Sequence, residues 1–260
     1  MKVLNVENIY MIFNGLKAVD NVSIYAKRGE LLGLIGPNGA GKTTIFNMLT
    51  GVYVPTSGKI VFVNNDNKKL IVNGLKPYKV SRFGVSRTFQ NIRLFKELTV
   101  LDNILISMHK DVEYSIFGAI LKSNKYLKTE QKFYDNAIKI LNAVGLVEKK
   151  SELASNLPYG EQRKLEIARA IATGADIVFL DEPAAGMNPS ETEELANLIL
   201  VLKKEYHLTI LLIEHDMKFV MKICERIYVL DFGVLIAEGT PKEIKSNPNV
   251  IKAYLGEEIG

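Results

Sequence analysis

The chain has 260 residues, of which 47% are hydrophobic and 24% charged, and a formal net charge of +4. That is enough apolar material for a large α/β domain with its own core, and too ordinary a charge content for a disordered chain. Its lysines are scattered among acids rather than gathered in a basic stripe, so a nucleic-acid partner is not expected.

The N-terminal MKVLNVENIYMIF carries one early lysine but no continuous apolar stretch and no small-residue cleavage site. It does not read as a signal peptide, and the chain is expected to stay in the cytosol. The longest apolar runs, LLGLIG, IVFL and TILLI, fall far short of the roughly 18 to 20 residues that cross a bilayer. Cys224 is the single cysteine, which excludes an internal disulfide and a cysteine-based zinc cage. It reads as a small buried side chain in a reducing compartment.

Three short apolar runs each lead straight into polar chemistry. The first, Leu31 to Ile35, reads as a buried strand of a parallel sheet and enters GPNGAGKTT. Gly36, Pro37, Asn38, Gly39, Ala40, Gly41, Lys42 and Thr43 fit G-x-x-x-x-G-K-[ST], and Thr44 follows in the helix TTIFNMLTG. The glycines let successive backbone N–H groups turn inward, and the helix adds its positive end. Lys42 is expected to reach the β- and γ-phosphates of a nucleotide, and the Thr43 hydroxyl to serve Mg²⁺.

Further along, Leu157, Pro158, Tyr159, Gly160, Glu161 and Gln162 open a run in which Leu165, Ala168 and Ala172 recur at helical spacing. This second helix mouth, approached through a glycine, is a second possible anion site. The second apolar run, Ile177 to Leu180, ends in Asp181 and Glu182. Adjacent carboxylates diverge, so one can serve magnesium through its waters and the other an attacking water. The third run, Thr209 to Ile213, leads to His215. In a parallel sheet such strand ends share one edge, and ligands bind there. His109 and His207 lie away from these ends and read as surface or structural residues. No N-K-x-D run is present to read guanine.

The order GPNGAGKTT, TFQ, LPYGEQ, IVFLDEP, IEHD resembles the ATP-binding cassette family over essentially the whole chain. The resemblance implies a RecA-like P-loop NTPase core with a mainly parallel sheet, an antiparallel β subdomain and an inserted α-helical subdomain. The core would comprise 1–90 and 158–240, the insert 91–157 and a C-terminal tail 241–260. The segment Lys139 to Leu146 in the insert is amphipathic. The resemblance places Phe13 against adenine and Gln90 at magnesium and at the membrane subunits. It makes Lys42, Gln90, Glu182 and His215 the catalytic set, with Thr43, Gln90 and Asp181 at the metal and ATP and Mg²⁺ bound. It also implies head-to-tail pairing with a second cassette, the same or a related chain, so that 157–162 faces the γ-phosphate on the partner.

Several residues depart from the family's commoner L-S-G-G-Q signature. Pro158 lacks both the hydroxyl and the backbone N–H of the usual serine. Tyr159 replaces a glycine, and Glu161 sets a carboxylate near a phosphate. Asn188 stands where an aspartate is usual. LPYGEQRKLEIARA, DEPAAGMNPSET, TILLIEHDMKFVM and the tail GTPKEIKSNPNVIKAYLGEE look like the ATP-binding subunit of branched-chain amino acid importers, as do GVSRTFQNIRLFKELTVLDNIL and the apolar insert YSIFGAILKSNKYLK. Such a subunit is expected at the inner face of the cell membrane. It would work with two polytopic permease subunits and, indirectly, with an extracytoplasmic solute-binding protein. A lipopolysaccharide-transport ATPase, a soluble cassette protein and a non-hydrolysing regulatory subunit are the rival readings.

Overall fold

The computed structural model describes residues 1–109 and 122–255. The first half of the apolar insert and the last residues of the tail motif lie outside them. The chain forms two units, one of Met1–Gln90 with Asp176–Gly260 and one of Asn91–Ala175.

The first unit carries two sheets. Strands β1 (Lys2–Phe13) and β2 (Leu16–Lys27) form a hairpin, turning on Asn14 and Gly15 at φ 46 and 91. Two such positive values suit the right-handed twist of the flanking strands. β4 (Ser57–Val63) and β5 (Lys69–Ile71) complete an antiparallel sheet of order β2-β1-β4-β5.

The second sheet contains β3 (Leu31–Ile35), β6 (Val85–Arg87), β7 (Ile177–Asp181), β8 (Thr209–Ile213), β9 (Arg226–Asp231) and β10 (Val234–Gly239), in the order β10-β9-β3-β8-β7-β6. All its pairs are parallel except β9 with β10. Every residue of β3, β7 and β8 is buried, as continuous apolar runs demand. Helix α1 (Lys42–Leu49) lends Phe46 to the core, where its ring lies 5.2 Å from Phe179, itself 6.1 Å from Phe62.

Register decides what meets at the sheet edge. Ile213 pairs with Leu34 on one side and with Asp181 on the other. The chains beyond β3, β7 and β8 therefore leave the sheet together. α2 (Pro77–Arg82), α6 (Pro189–Glu205) and α7 (Met217–Ile223) belong to this unit too, numbering the described helices of both units in chain order. α8 (Pro241–Lys245) and α9 (Pro248–Leu255), at the C-terminus, pack on β10.

The second unit consists of α3 (Val100–Met108), α4 (Asn124–Ala143), two short 3-10 turns at Val147–Lys149 and Ala154–Asn156, and α5 (Tyr159–Ala172). The family resemblance implies a return to the core at 158, whereas the compact helical unit runs to Ala175. The reason is burial: α5 packs on α3 and α4, where Leu165, Ala168 and Ile171 find their cover. Buried Asn103 secures the entry to α3 by accepting from the Phe95 N–H and donating to its carbonyl, both at 3.0 Å. Among the described residues no helix is long and apolar enough to cross a membrane.

Candidate functional site

The loop after β3 is shaped by backbone contact. Gly36 has φ 150, and a Cβ there would lie 2.1 Å from the Leu230 carbonyl oxygen; at Gly41, φ 96, it would lie 2.6 Å from that of Ala18. Only hydrogen fits at either position. The loop presents Asn38, Gly39 and Thr43 to solvent while Pro37 and Ala40 are buried. Lys42 is drawn back over the loop, donating to the carbonyls of Gly36 at 2.6 Å and Pro37 at 2.8 Å. No side chain caps α1 and no acid lies in its first turn. Its positive end is thus not neutralised by its own sequence.

At the end of β7 the two carboxylates diverge. Asp181 is buried and takes Arg87 Nη2 at 2.6 Å. Arg87 also donates to Asn47 Oδ1 at 2.7 Å, so it ties the strand end to α1. Glu182 turns out of the sheet with φ 47, although its N–H still bonds the Ile213 carbonyl at 2.9 Å. A left-handed residue that is not glycine costs about 1–2 kcal/mol, and here that conformation points the carboxylate away from the core. Gln90 Nε2 donates to Glu182 Oε2 at 2.8 Å, and His215 Nδ1 lies 3.9 Å from the same oxygen. Gln90, Glu182 and His215 therefore converge.

Glu214 fixes this convergence. It is 1% exposed and accepts from the N–H groups of Ala184 at 2.8 Å and His215 at 2.9 Å. One carboxylate thus ties the turn after Glu182 to the turn bearing His215. Burial pushes its carboxyl above the usual range, against the pull of these donors. Phe13 ends β1 half-exposed, its ring edge-on to Tyr53 at 5.4 Å. It is accordingly not a plain core residue. His109 Nδ1 lies 2.7 Å from the Leu105 carbonyl on α3, a local contact.

The ABC transporter family model matches residues 19–185, well over half of the chain. The chain belongs to the ABC transporter family. A second model, for the branched-chain amino acid ATP-binding cassette transporter, matches residues 234–259. The cassette is 49% identical over 255 residues to the high-affinity branched-chain amino acid transport ATP-binding protein LivG of Salmonella typhimurium, covering 98% of each chain. It is 45% identical over 255 residues to BraF of Pseudomonas aeruginosa, a protein of the same description, again covering 98% of each. Among solved structures it resembles an ATP-binding cassette of an ABC transporter in its ADP conformation, at 33% identity and a TM-score of 0.83, covering 98% of this chain and 99% of that one. A nucleotide-free cassette matches at 33% identity with a TM-score of 0.81 and the same coverage. The cassette is thus a nucleotide-binding, ATP-hydrolysing enzyme of the ABC type.

The signature residues lie in the helical unit. Leu157 is buried, and Pro158 and Tyr159 are exposed at the start of α5. Gln162 folds back, donating through Nε2 to the Leu157 carbonyl at 2.8 Å. Pro158 is the N-cap and supplies no side-chain bond, whereas Thr99, Ser123 and Asn188 cap α3, α4 and α6. Asn188 accepts from the N–H groups of Ser190 and Glu191, and Glu191 closes a capping box, so the asparagine that replaces the usual aspartate starts α6.

Below the signature, Arg163 is fully buried. It donates to Glu166 Oε2 at 2.7 Å and to the Tyr159 hydroxyl at 3.0 Å, while Glu166 Oε1 accepts from the Arg93 N–H at 3.2 Å. Glu161 is gripped by Lys149, whose Nζ lies 2.6 Å and 2.8 Å from the two carboxylate oxygens. Sequence reasoning missed Arg87, Lys149, Arg163, Glu166 and Glu214. Two of them left a signal: a charge inside an apolar helical face at Glu166, and an acid directly after a buried strand at Glu214.

Proposed function

We propose that the cassette is the ATP-hydrolysing subunit of a branched-chain amino acid importer at the inner face of the cell membrane. It would act with two polytopic permease subunits, a second cassette that is the same or a related chain, and, indirectly, an extracytoplasmic solute-binding protein. The observation that carries the cargo is the agreement of full-length relatives described as branched-chain amino acid transport ATP-binding proteins with the family model on the C-terminal segment. These descriptions favour an importer over a lipopolysaccharide-transport ATPase and over a soluble cassette.

The geometry supports a division of labour. Gly36 to Thr44 would cradle the triphosphate, with Lys42 exchanging its two carbonyl partners for phosphate oxygens and Phe13 stacking on adenine. The donors available for magnesium are the Thr43 hydroxyl, the Gln90 amide and the Asp181 carboxylate. They suit a hard cation that keeps several waters and binds through few carboxylates plus phosphate oxygens; among the described residues no cluster of three His, Cys, Asp or Glu suggests a different metal. When bound, the ion neutralises charge on the β- and γ-phosphates. Glu182 would orient a water and take its proton as the water oxygen bonds to the γ-phosphorus and the bond to the β–γ bridging oxygen breaks. Gln90 and His215, both directed at Glu182, would hold that carboxylate and sense the γ-phosphate. The start of α5 would close on the γ-phosphate of the partner cassette, its backbone N–H groups replacing the contact Pro158 cannot make.

The Glu182→Gln variant tests the core of this reading. Turnover by the complex purified from membranes through a tagged cassette is expected to fall by at least about a hundredfold, while MgATP binding persists. Retained multiple turnover would remove Glu182 from its role. Failure of polytopic proteins to co-purify would overturn the importer.

A further inference from the structure

Glu161 poses an electrostatic problem at the mouth of α5. In the first turn of a helix whose N-cap, Pro158, makes no side-chain hydrogen bond, its carboxylate complements the helix's positive end. The same charge opposes a triphosphate arriving from another cassette. Two unit charges a few ångströms apart near a protein surface cost on the order of tenfold or more in affinity.

The surrounding structure answers the charge. Lys149 closes the 3-10 turn Val147–Lys149, and its backbone is pinned at both ends: its N–H donates to Leu146 at 3.1 Å and its carbonyl accepts from Glu152 at 2.9 Å. From that anchor its ammonium spans both Glu161 oxygens. The hydrogen bond to Glu161 raises the lysine's pKa, with Glu152 adding to the effect. With side chains 36% and 27% exposed, the pair contributes little to folding. Its consequence is local: the charge at the helix mouth is cancelled while the main-chain N–H groups of the first turn are unaltered.

We infer that Lys149 is a positioning residue of the signature, which neutralises Glu161 so that the start of α5 can meet the phosphate held by a second cassette. The inference rests on the proposed reading that this loop works in trans.

Occlusion of labelled ATP by the purified transporter complex tests it, with Glu182→Gln present throughout to block turnover. Adding Lys149→Met is expected to raise the ATP concentration for half-maximal occlusion about tenfold. Adding Glu161→Gln as well is expected to return it to within about twofold of the starting complex, because no charge is left for the lysine to cancel. A chain merely damaged by loss of the lysine would not be repaired by neutralising Glu161. An unshifted midpoint for Lys149→Met, or no recovery on adding Glu161→Gln, overturns the inference. If the Glu182→Gln complex occludes no ATP at all, the functional reading beneath it is what fails.

Discussion

The helix mouths of α1 and α5, neither of them capped by a side chain, are made of different material. The mouth of α1 is a backbone construction: Gly36 and Gly41 press against the carbonyls of Leu230 and Ala18, and the lysine rests on loop carbonyls. The mouth of α5 is held by side chains, with Arg163 fastening Tyr159 and Glu166 from below and Lys149 holding Glu161. A backbone construction tolerates almost no change in residue type, because carbonyls cannot rotate away. A side-chain construction tolerates exchange when both partners change together. The α1 motif of this chain accordingly matches the phosphate-loop pattern at every position, while α5 carries Pro158, Tyr159 and Glu161 in place of more common residues.

This contrast can be broken most forcefully at Gly36. Gly36→Ala sets a Cβ against the Leu230 carbonyl in a conformation that disfavours any side chain. It is expected to cost about 3–5 kcal/mol of stability and to abolish nucleotide binding, as read by denaturant unfolding and MgATP titration. A well-folded, ATP-binding Gly36→Ala chain would show that the loop is not backbone-limited.

At the other mouth, Arg163→Met removes the cation paired with the buried Glu166 carboxylate and is expected to cost about 3 kcal/mol in the same unfolding assay. Arg163→Met with Glu166→Leu should recover most of it, since two apolar side chains can fill the site of a buried pair. Equal damage from the single and the double change would mean that α5 is not organised by this pair.

A pH-dependent case sharpens the comparison within the first unit. At the start of β3, Glu30 accepts from Arg226 at 2.8 and 2.9 Å and from the Lys27 N–H at 2.7 Å. Burial alone would raise its carboxyl, but these partners outweigh it and hold the pKa below the usual 4.5. A lowered carboxylate contributes stability that is present above the unfolded value and lost as pH falls through the folded one. Glu30→Gln is thus expected to cost about 1–2 kcal/mol at neutral pH, and the gap in Tm should close below pH 4.5. A gap that persists in acid would assign the loss to packing.

The smallest effect is expected where a cap already exists. Asn188→Ala removes the capping box of α6 and should cost about 1 kcal/mol by thermal unfolding, with no change in MgATP affinity.

Much of the architecture is legible because burial writes itself into residue type. The apolar runs at 31–35, 177–180 and 209–213 became β3, β7 and β8 with every member buried, β7 taking in Asp181 as well, and the polar residues that follow them meet at one edge. The boundary of the helical unit was not legible, because the apolar face of α5 does not say which neighbours will cover it. Arg87 could not be placed either: a lone arginine on a short strand reveals its role only when Asp181 and Asn47 stand beside it.

By itself, the sequence determined the strand runs, the glycine loop, the paired acids and the order of motifs, since each is a local pattern set by burial or backbone freedom. Only the tertiary structure decided which charges meet. Glu182 reaches Gln90 across 92 positions in the chain, and Lys149 reaches Glu161 across 12. Pairing of that kind depends on parallel register and helix packing, which bring distant residues within hydrogen-bond reach and leave no spacing rule in the sequence.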